Sequence, residues 1–168
     1  MGKITFIIGG ARSGKSRYAV ALAKKCKKVA FIATCKALDK EMRERILLHQ
    51  KSRPKHWQTY EEVKDLAPLL MKMSNVFDCI IIDCLTLLVS NLILNGHKEE
   101  EILKRIQAIL ASLINKKAKV IMVSNEVGLG VVPANNLGRD FRDIAGRVNQ
   151  MVAKEAEDVF FTISGIAT

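Results

Sequence analysis

Residues Gly9 to Ser16, GGARSGKS, put a lysine and a serine directly behind a glycine-rich turn. The spacing G-x-x-x-x-G-K-S is that of a phosphate loop, and it falls where that motif belongs, between an apolar run (Ile4–Ile8) and a helical pattern reaching about Lys25. The amides of Gly9, Gly10, Ala11, Arg12, Ser13 and Gly14, with the helix N-terminus, are expected to converge on a phosphate oxyanion. Gly9 and Gly14 allow backbone angles and close approaches that a side chain blocks. Lys15 supplies a point charge to the β- and γ-phosphates, and the Ser16 hydroxyl suits Mg²⁺. Such a site also needs a carboxylate. Asp83, closing the apolar run CIIID, is the candidate, on the expectation that its strand lies next to the first. An Asp capping a helix from Leu85 is the other reading, and the two are compatible. A nucleoside triphosphate with Mg²⁺ is therefore the expected ligand. A kinase, an NTPase switch and a nucleotidyltransferase all stay open.

A second candidate is His49, in the basic stretch ERILLHQKSRPKHW. If Leu38–Lys51 is a helix, Met42, Ile46 and His49 share one face, and Arg45 stands one turn from His49. The position near the helix C-terminus favours a protonated ring. A histidine closing an apolar face can equally be a structural residue, and periodicity does not choose between the two. His97, after Asn95-Gly96, reads as a solvated loop residue.

The elements that must hold these residues alternate. Strands are expected at Ile4–Ile8, Val29–Ala33, Gln58–Glu61, Cys79–Asp83, Val120–Ser124 and Val159–Ile163. Helical patterns cover Leu38–Lys51, Val63–Met73, Leu85–Leu94, Glu99–Asn115 and Arg139–Ala156. The fourth is plainly amphipathic, with Ile102, Ile106, Ile109, Leu110 and Leu113 on one face. Residues 125–138 read as a loop rich in Gly, Pro and Asn. Uncharged β-branched strands joined through helices give an α/β fold with a largely parallel sheet covered on both faces.

At 168 residues, 49% apolar and 26% charged, the chain reads as one domain, 1–168, with an ordinary core. No apolar run is long enough for a membrane span, and the N-terminus lacks the pattern of a signal peptide, so a cytoplasmic location is expected. The four cysteines form no CxxC pair and no zinc spacing; Cys79 and Cys84 read as buried small hydrophobes, with all four thiols reduced. The net charge is +10, with lysine clusters at 24–28 and 116–119. These fall where helices end and complement the helix dipole. With two Tyr and one Trp there is little for bases to stack on, and no nucleic-acid partner is expected.

Four stretches in order, GGARSGKSR, then ATCKALDKEMRERILLHQKSRPKHWQTYEE, then IIIDCLTLLVSNLI, then VSNEVGLGVVPANNLGRDFRDIAGRVNQ, resemble the bifunctional adenosylcobinamide kinase / adenosylcobinamide-phosphate guanylyltransferase family of cobalamin biosynthesis. The resemblance covers nearly the whole chain. The phosphate loop is common to many proteins. The R-I-x-x-H-x-x-x-R-P-x-x-W-x-T-x-E and N-E-V-G-x-G-x-V-P stretches are specific.

The resemblance implies a P-loop fold of the RecA-like kind and two reactions. ATP or GTP phosphorylates the aminopropanol hydroxyl of adenosylcobinamide. GMP then passes from GTP to that phosphate through a guanylylated histidine, at the position of His49. It further implies that Ala33, Thr34 and Cys35, and Gln50, Lys51, Ser52 and Arg53, contact the nucleotide. Cys35 stands where the family commonly has Ser. Glu61 matches a carboxylate able to accept from guanine N1 and N2, and Asp83 the acidic strand end. A homo-oligomer, a trimer, is also implied. Residues 125–150 read as a corrinoid-side or subunit-contact element, or as an ordinary structured loop and helix. Two rival readings are a kinase with a structural His49 and a nucleotide-dependent binding module.

Overall fold

The computed structural model describes residues 3–35, 44 and 53–168. The strands are β1 (Ile4–Gly9), β2 (Val29–Ala33), β3 (Gln58–Glu61), β4 (Cys79–Asp83), β5 (Lys119–Asn125), β6 (Asp158–Ile163) and β7 (Ile166–Ala167). The helices are α1 (Lys15–Ala23), α2 (Leu66–Met73), α3 (Leu85–Leu94), α4 (Glu99–Ser112) and α5 (Asn136–Glu155). The expected helix Leu38–Lys51 lies outside the described residues, apart from Glu44, which is helical and exposed.

The seven strands form one sheet in the order β3-β2-β4-β5-β1-β6-β7. Every pairing is parallel except β6 with β7. Alternate side chains bury on opposite faces, as a period of two requires. Phe6, Ile32, Ile80, Ile82, Val120 and Met122 pack with α2, α3, α4 and α5. Ile7, Phe31, Ile81, Ile121 and Val123 pack under α1 through Ala19 and Ala23. Both faces of the strands are thus filled, which is why their sequences read as continuous apolar runs.

The strand carrying Asp83 is not next to the first. β5 lies between them, pairing with β1 and with β4. The crossover from β4 runs through both α3 and α4, long enough to return a strand on the side nearer β1. The inserted strand is the uncharged VIMVS run, fully covered by two neighbours.

Other differences are local. α1 begins at Lys15, so Lys15 and Ser16 belong to the helix rather than the loop. α2 begins at Leu66, because the Glu62 carboxylate accepts from the amides of Lys64 and Asp65 and forms a turn first. α4 stops at Ser112, and Asn115 follows with a left-handed φ of 59°. α5 starts at Asn136, three residues early, because the Asn135 side chain caps it by accepting from Gly138 N at 2.7 Å. The N-cap of α3 is Cys84, not Asp83, and no side chain caps it. His97 is not simply solvated: its Nδ1 lies 3.2 Å from Glu101 Oε2 at the start of α4. No helix among the described residues is long and apolar enough to cross a membrane.

Candidate functional site

The carboxyl ends of the parallel strands share one rim, and the expected site residues lie along it. At β1 the chain turns into the phosphate loop. Gly9 has no room for a side chain: a Cβ there would sit 2.4 Å from the carbonyl oxygen and Oγ1 of Thr162. Gly14, with φ of 100°, adopts the left-handed conformation that feeds α1. Ser13 is fixed by the Thr162 hydroxyl at 2.7 Å, and its carbonyl accepts from Gly165 N at 2.9 Å. The β6–β7 hairpin therefore holds the loop from outside. The shortness of β7 hid this strand from periodicity. The polar Thr162 in the apolar run VFFTI was the available signal.

Lys15 is buried at 7% exposure, and its Nζ donates to Gly10 O at 2.5 Å. Burial holds its pKa below the usual lysine value, with Cys84 and then Asp83 opposing. Asp83 is thus electrostatically joined to Lys15 across the width of β5. The Cys84 thiol is pushed up to about 12, by burial first and then by Asp83. A thiol held protonated at neutral pH by burial packs as a small hydrophobe. Cys26, Cys79 and Cys84 are free thiols.

Register sets the next part of the rim. Ala33 pairs with Asp83 on one side and with Glu61 on the other. Glu61, Ala33 and Asp83 therefore stand in one row across three strand ends, the Cα atoms of the two acidic residues about 10 Å apart at two inter-strand steps. Cys35 lies in the field of both: burial chiefly, then Asp83 and Glu61, raise its thiol pKa.

Thr34 is turned inward instead. Its hydroxyl donates to Cys84 O at 2.6 Å and accepts from Cys84 N at 2.8 Å, and its own amide donates to Asp83 O at 3.2 Å. Asn91 Nδ2 in turn donates to Thr34 O at 2.8 Å. Thr34 is fully buried and acts as a stitch that fixes the exit of β4, and so the position of Asp83. Asn91 was readable only as a polar residue in the apolar helix LTLLVSNLIL. Replacing Thr34 by Val keeps the shape and strips two buried backbone groups of their partner. A loss of about 2–4 kcal/mol in urea unfolding is expected, with weaker nucleotide binding.

Arg53 reaches the same rim. Its guanidinium lies 3.4 Å over the Phe31 ring, and NH1 donates to Thr59 Oγ1 at 3.4 Å. Burial lowers its pKa and Asp83 opposes. Beside it a groove of about 330 Å³ runs between α1 and β2, bounded by Ser16, Arg17, Lys24, Phe31 and Arg53. Three cations around a polar hydroxyl suit an anionic ligand. A second cavity, about 350 Å³, lies at the other end of β1 between α4 and α5 and includes none of the expected residues. His49, Gln50, Lys51 and Ser52 lie outside the described residues. In the loop before α5, Leu129, Val131 and Val132 are exposed, as is Leu137 in its first turn.

The fold is similar to that of two solved structures. A KaiC-like protein from Pyrococcus horikoshii aligns with a TM-score of 0.54 at 12% identity, over 95% of this chain and 70% of that one. The RadB recombinase aligns with a TM-score of 0.55 at 14% identity, over 95% and 74%. The α/β architecture is thus that of RecA-like P-loop NTPases, as the resemblance implied. Among curated proteins, the bifunctional adenosylcobalamin biosynthesis protein CobU of Escherichia coli is 42% identical over 95% of both chains. CobU of Salmonella typhimurium is 44% identical over the same shares. CobP of Pseudomonas aeruginosa, named likewise, is 44% identical over 95% of this chain and 92% of its own. The family model for cobinamide kinase / cobinamide phosphate guanyltransferase matches residues 5–168, and with these relatives it identifies the chain as a member of that bifunctional enzyme family.

Proposed function

We propose that this chain phosphorylates adenosylcobinamide with ATP or GTP and then transfers GMP from GTP to the product, with His49 carrying the guanylyl group between donor and acceptor. Both reactions use one triphosphate site within a single domain. The observation that carries the reading is the shared rim. The phosphate loop, Asp83 and Glu61 stand at the carboxyl ends of one parallel sheet, four inter-strand steps or about 19 Å from end to end. A triphosphate held at Lys15 can extend along that rim toward Glu61, whose carboxylate accepts from guanine N1 and N2. Ala33 and Cys35 border that path, and Arg53 approaches it from the groove side.

Ser16 and Asp83 are the residues that would hold Mg²⁺. One hydroxyl and one carboxylate, with the remaining positions left to water and phosphate, suit an ion that dehydrates reluctantly. Among the described residues no group of three or more His, Cys, Asp or Glu forms an alternative metal centre. The ion supplies charge neutralisation on the phosphate oxygens.

In the kinase step Lys15 and the loop amides orient the γ-phosphoryl group for attack by the corrinoid hydroxyl. In the transfer step a neutral imidazole nitrogen of His49 attacks the α-phosphorus of GTP. The P–N bond forms and diphosphate leaves with the bridging oxygen. An oxygen of the corrinoid phosphate then displaces the imidazole and forms adenosyl-GDP-cobinamide. The basic residues near it in sequence, Arg45, Lys51 and Arg53, suit the triphosphate. Gln50 and Ser52 are further proposed nucleotide contacts. A cytoplasmic homotrimer is the proposed state.

The test is direct. Purified protein with MgATP or MgGTP and adenosylcobinamide should give the phosphorylated corrinoid. GTP should then give adenosyl-GDP-cobinamide and one diphosphate per turnover. Failure of corrinoid phosphorylation with both nucleotides overturns the reading.

A further inference from the structure

β5 ends beside the phosphate loop, and the residue that leaves it is a glutamate. Register pairs Gly9 with Asn125, the last residue of β5, and the amide of the next residue, Glu126, donates to Gly9 O at 2.9 Å. The loop's first residue and Glu126 are thus one hydrogen bond apart. Glu126 is not a second Asp83. Asp83 pairs with Val123, three residues earlier on the same strand. At about 3.3 Å per residue, the Glu126 backbone lies up to about 10 Å beyond the row of Asp83, level with the start of the phosphate loop.

The surroundings hold it there. Asn125 N donates to Thr86 Oγ1 at 2.6 Å, and Asn149 Nδ2 from α5 donates to Asn125 O at 3.2 Å. The Glu126 Oε1 accepts from Gly128 N at 2.5 Å, and Gly128 O accepts from Arg142 NH2 at 2.6 Å. One carboxylate oxygen is thereby oriented by the backbone. Among the described residues no cation forms an ion pair with Glu126. A half-buried carboxylate, fixed at one oxygen and with no ion-pair partner among the described residues, is placed to accept a proton.

We propose that Glu126 is the residue that accepts the proton of the corrinoid hydroxyl in the kinase step. This rests on the functional reading above. The hydroxyl oxygen forms the new bond to the γ-phosphorus, and the bond from that phosphorus to the β–γ bridging oxygen breaks. The electron pair leaves with the nucleoside diphosphate, and the hydroxyl proton passes to the Glu126 carboxylate. The guanylyl transfer has no such proton to remove, because its acceptor is already a phosphate anion. Glu126 therefore serves one of the two reactions.

The test is Glu126→Gln, which keeps an oxygen for Gly128 N and removes the basicity. Wild type and variant are compared in two assays: phosphorylation of adenosylcobinamide by MgATP, and guanylyl transfer from GTP to supplied adenosylcobinamide phosphate. The kinase kcat should fall about 10²-fold with the KM for ATP unchanged, and the transfer rate should stay within about threefold. Equal loss in both assays, recovery of the kinase at high Mg²⁺, or a kinase rate near wild type each overturns the proposal. A wild-type protein inactive in both assays overturns instead the functional reading beneath it.

Discussion

Lys15→Met is expected to lower the kinase rate by about 10³-fold, by removing a fixed cation aimed at charge that develops on the phosphates. Folding should not suffer. The ammonium is buried and donates to Gly10 O and, at 3.5 Å, to Ser13 Oγ. Burial lowers its pKa, so the folded chain releases this proton at a lower pH than the unfolded chain does. The cost of the buried charge is then full below the folded-state pKa and is relieved as pH rises through it. Methionine has a similar length and carries no such cost. The ligand-free variant should melt at or above the wild-type temperature. Its stability should also lack the alkaline rise, toward the ordinary lysine pKa, that Lys15 contributes to wild type. Added MgGTP should raise the wild-type melting temperature and leave the variant's unchanged. A variant that still gains a full thermal shift from GTP would remove Lys15 from the phosphate site.

The strand ends and the loop were legible because both obey local rules. G-x-x-x-x-G-K-S encodes its own turn, and CIIID and VAFIA are apolar runs bounded by breaks. What the sequence could not show was order across the sheet. Asp83 looked like the neighbour of the first strand because only the pairing of β5 with both β1 and β4 separates them, and pairing is a long-range choice. The same limit hid the inward role of Thr34. Its hydroxyl serves Cys84, fifty residues away, and nothing within ATC announces that partner. The β6–β7 hairpin was missed because two residues are too few for a period. Yet Thr162 and Gly165 in that hairpin brace the loop that was read most easily. Local patterns thus gave the chemistry-bearing residues, and tertiary pairing gave the supports that hold them.

His49→Ala should abolish guanylyl transfer while leaving the kinase within a few fold of wild type. The reason is the difference between the two acceptors. In the kinase step an alcohol attacks the γ-phosphorus, and the groups this requires, Lys15, Ser16 and the loop amides, surround the end of β1. In the transfer step the attack is on the α-phosphorus by a group that must later leave. Imidazole does both, since a phosphoramidate stays reactive toward a phosphate oxygen, whereas alanine offers no nucleophile. GTP labelled at the α-phosphate should leave acid-labile, base-stable label on the wild-type protein and none on the variant. Adenosylcobinamide phosphate should accumulate in the variant instead of being consumed. Full labelling of His49→Ala would remove that residue from the reaction. Loss of both activities together would make its role structural. The split between the two rates therefore separates a covalent carrier from a histidine that merely closes an apolar helical face.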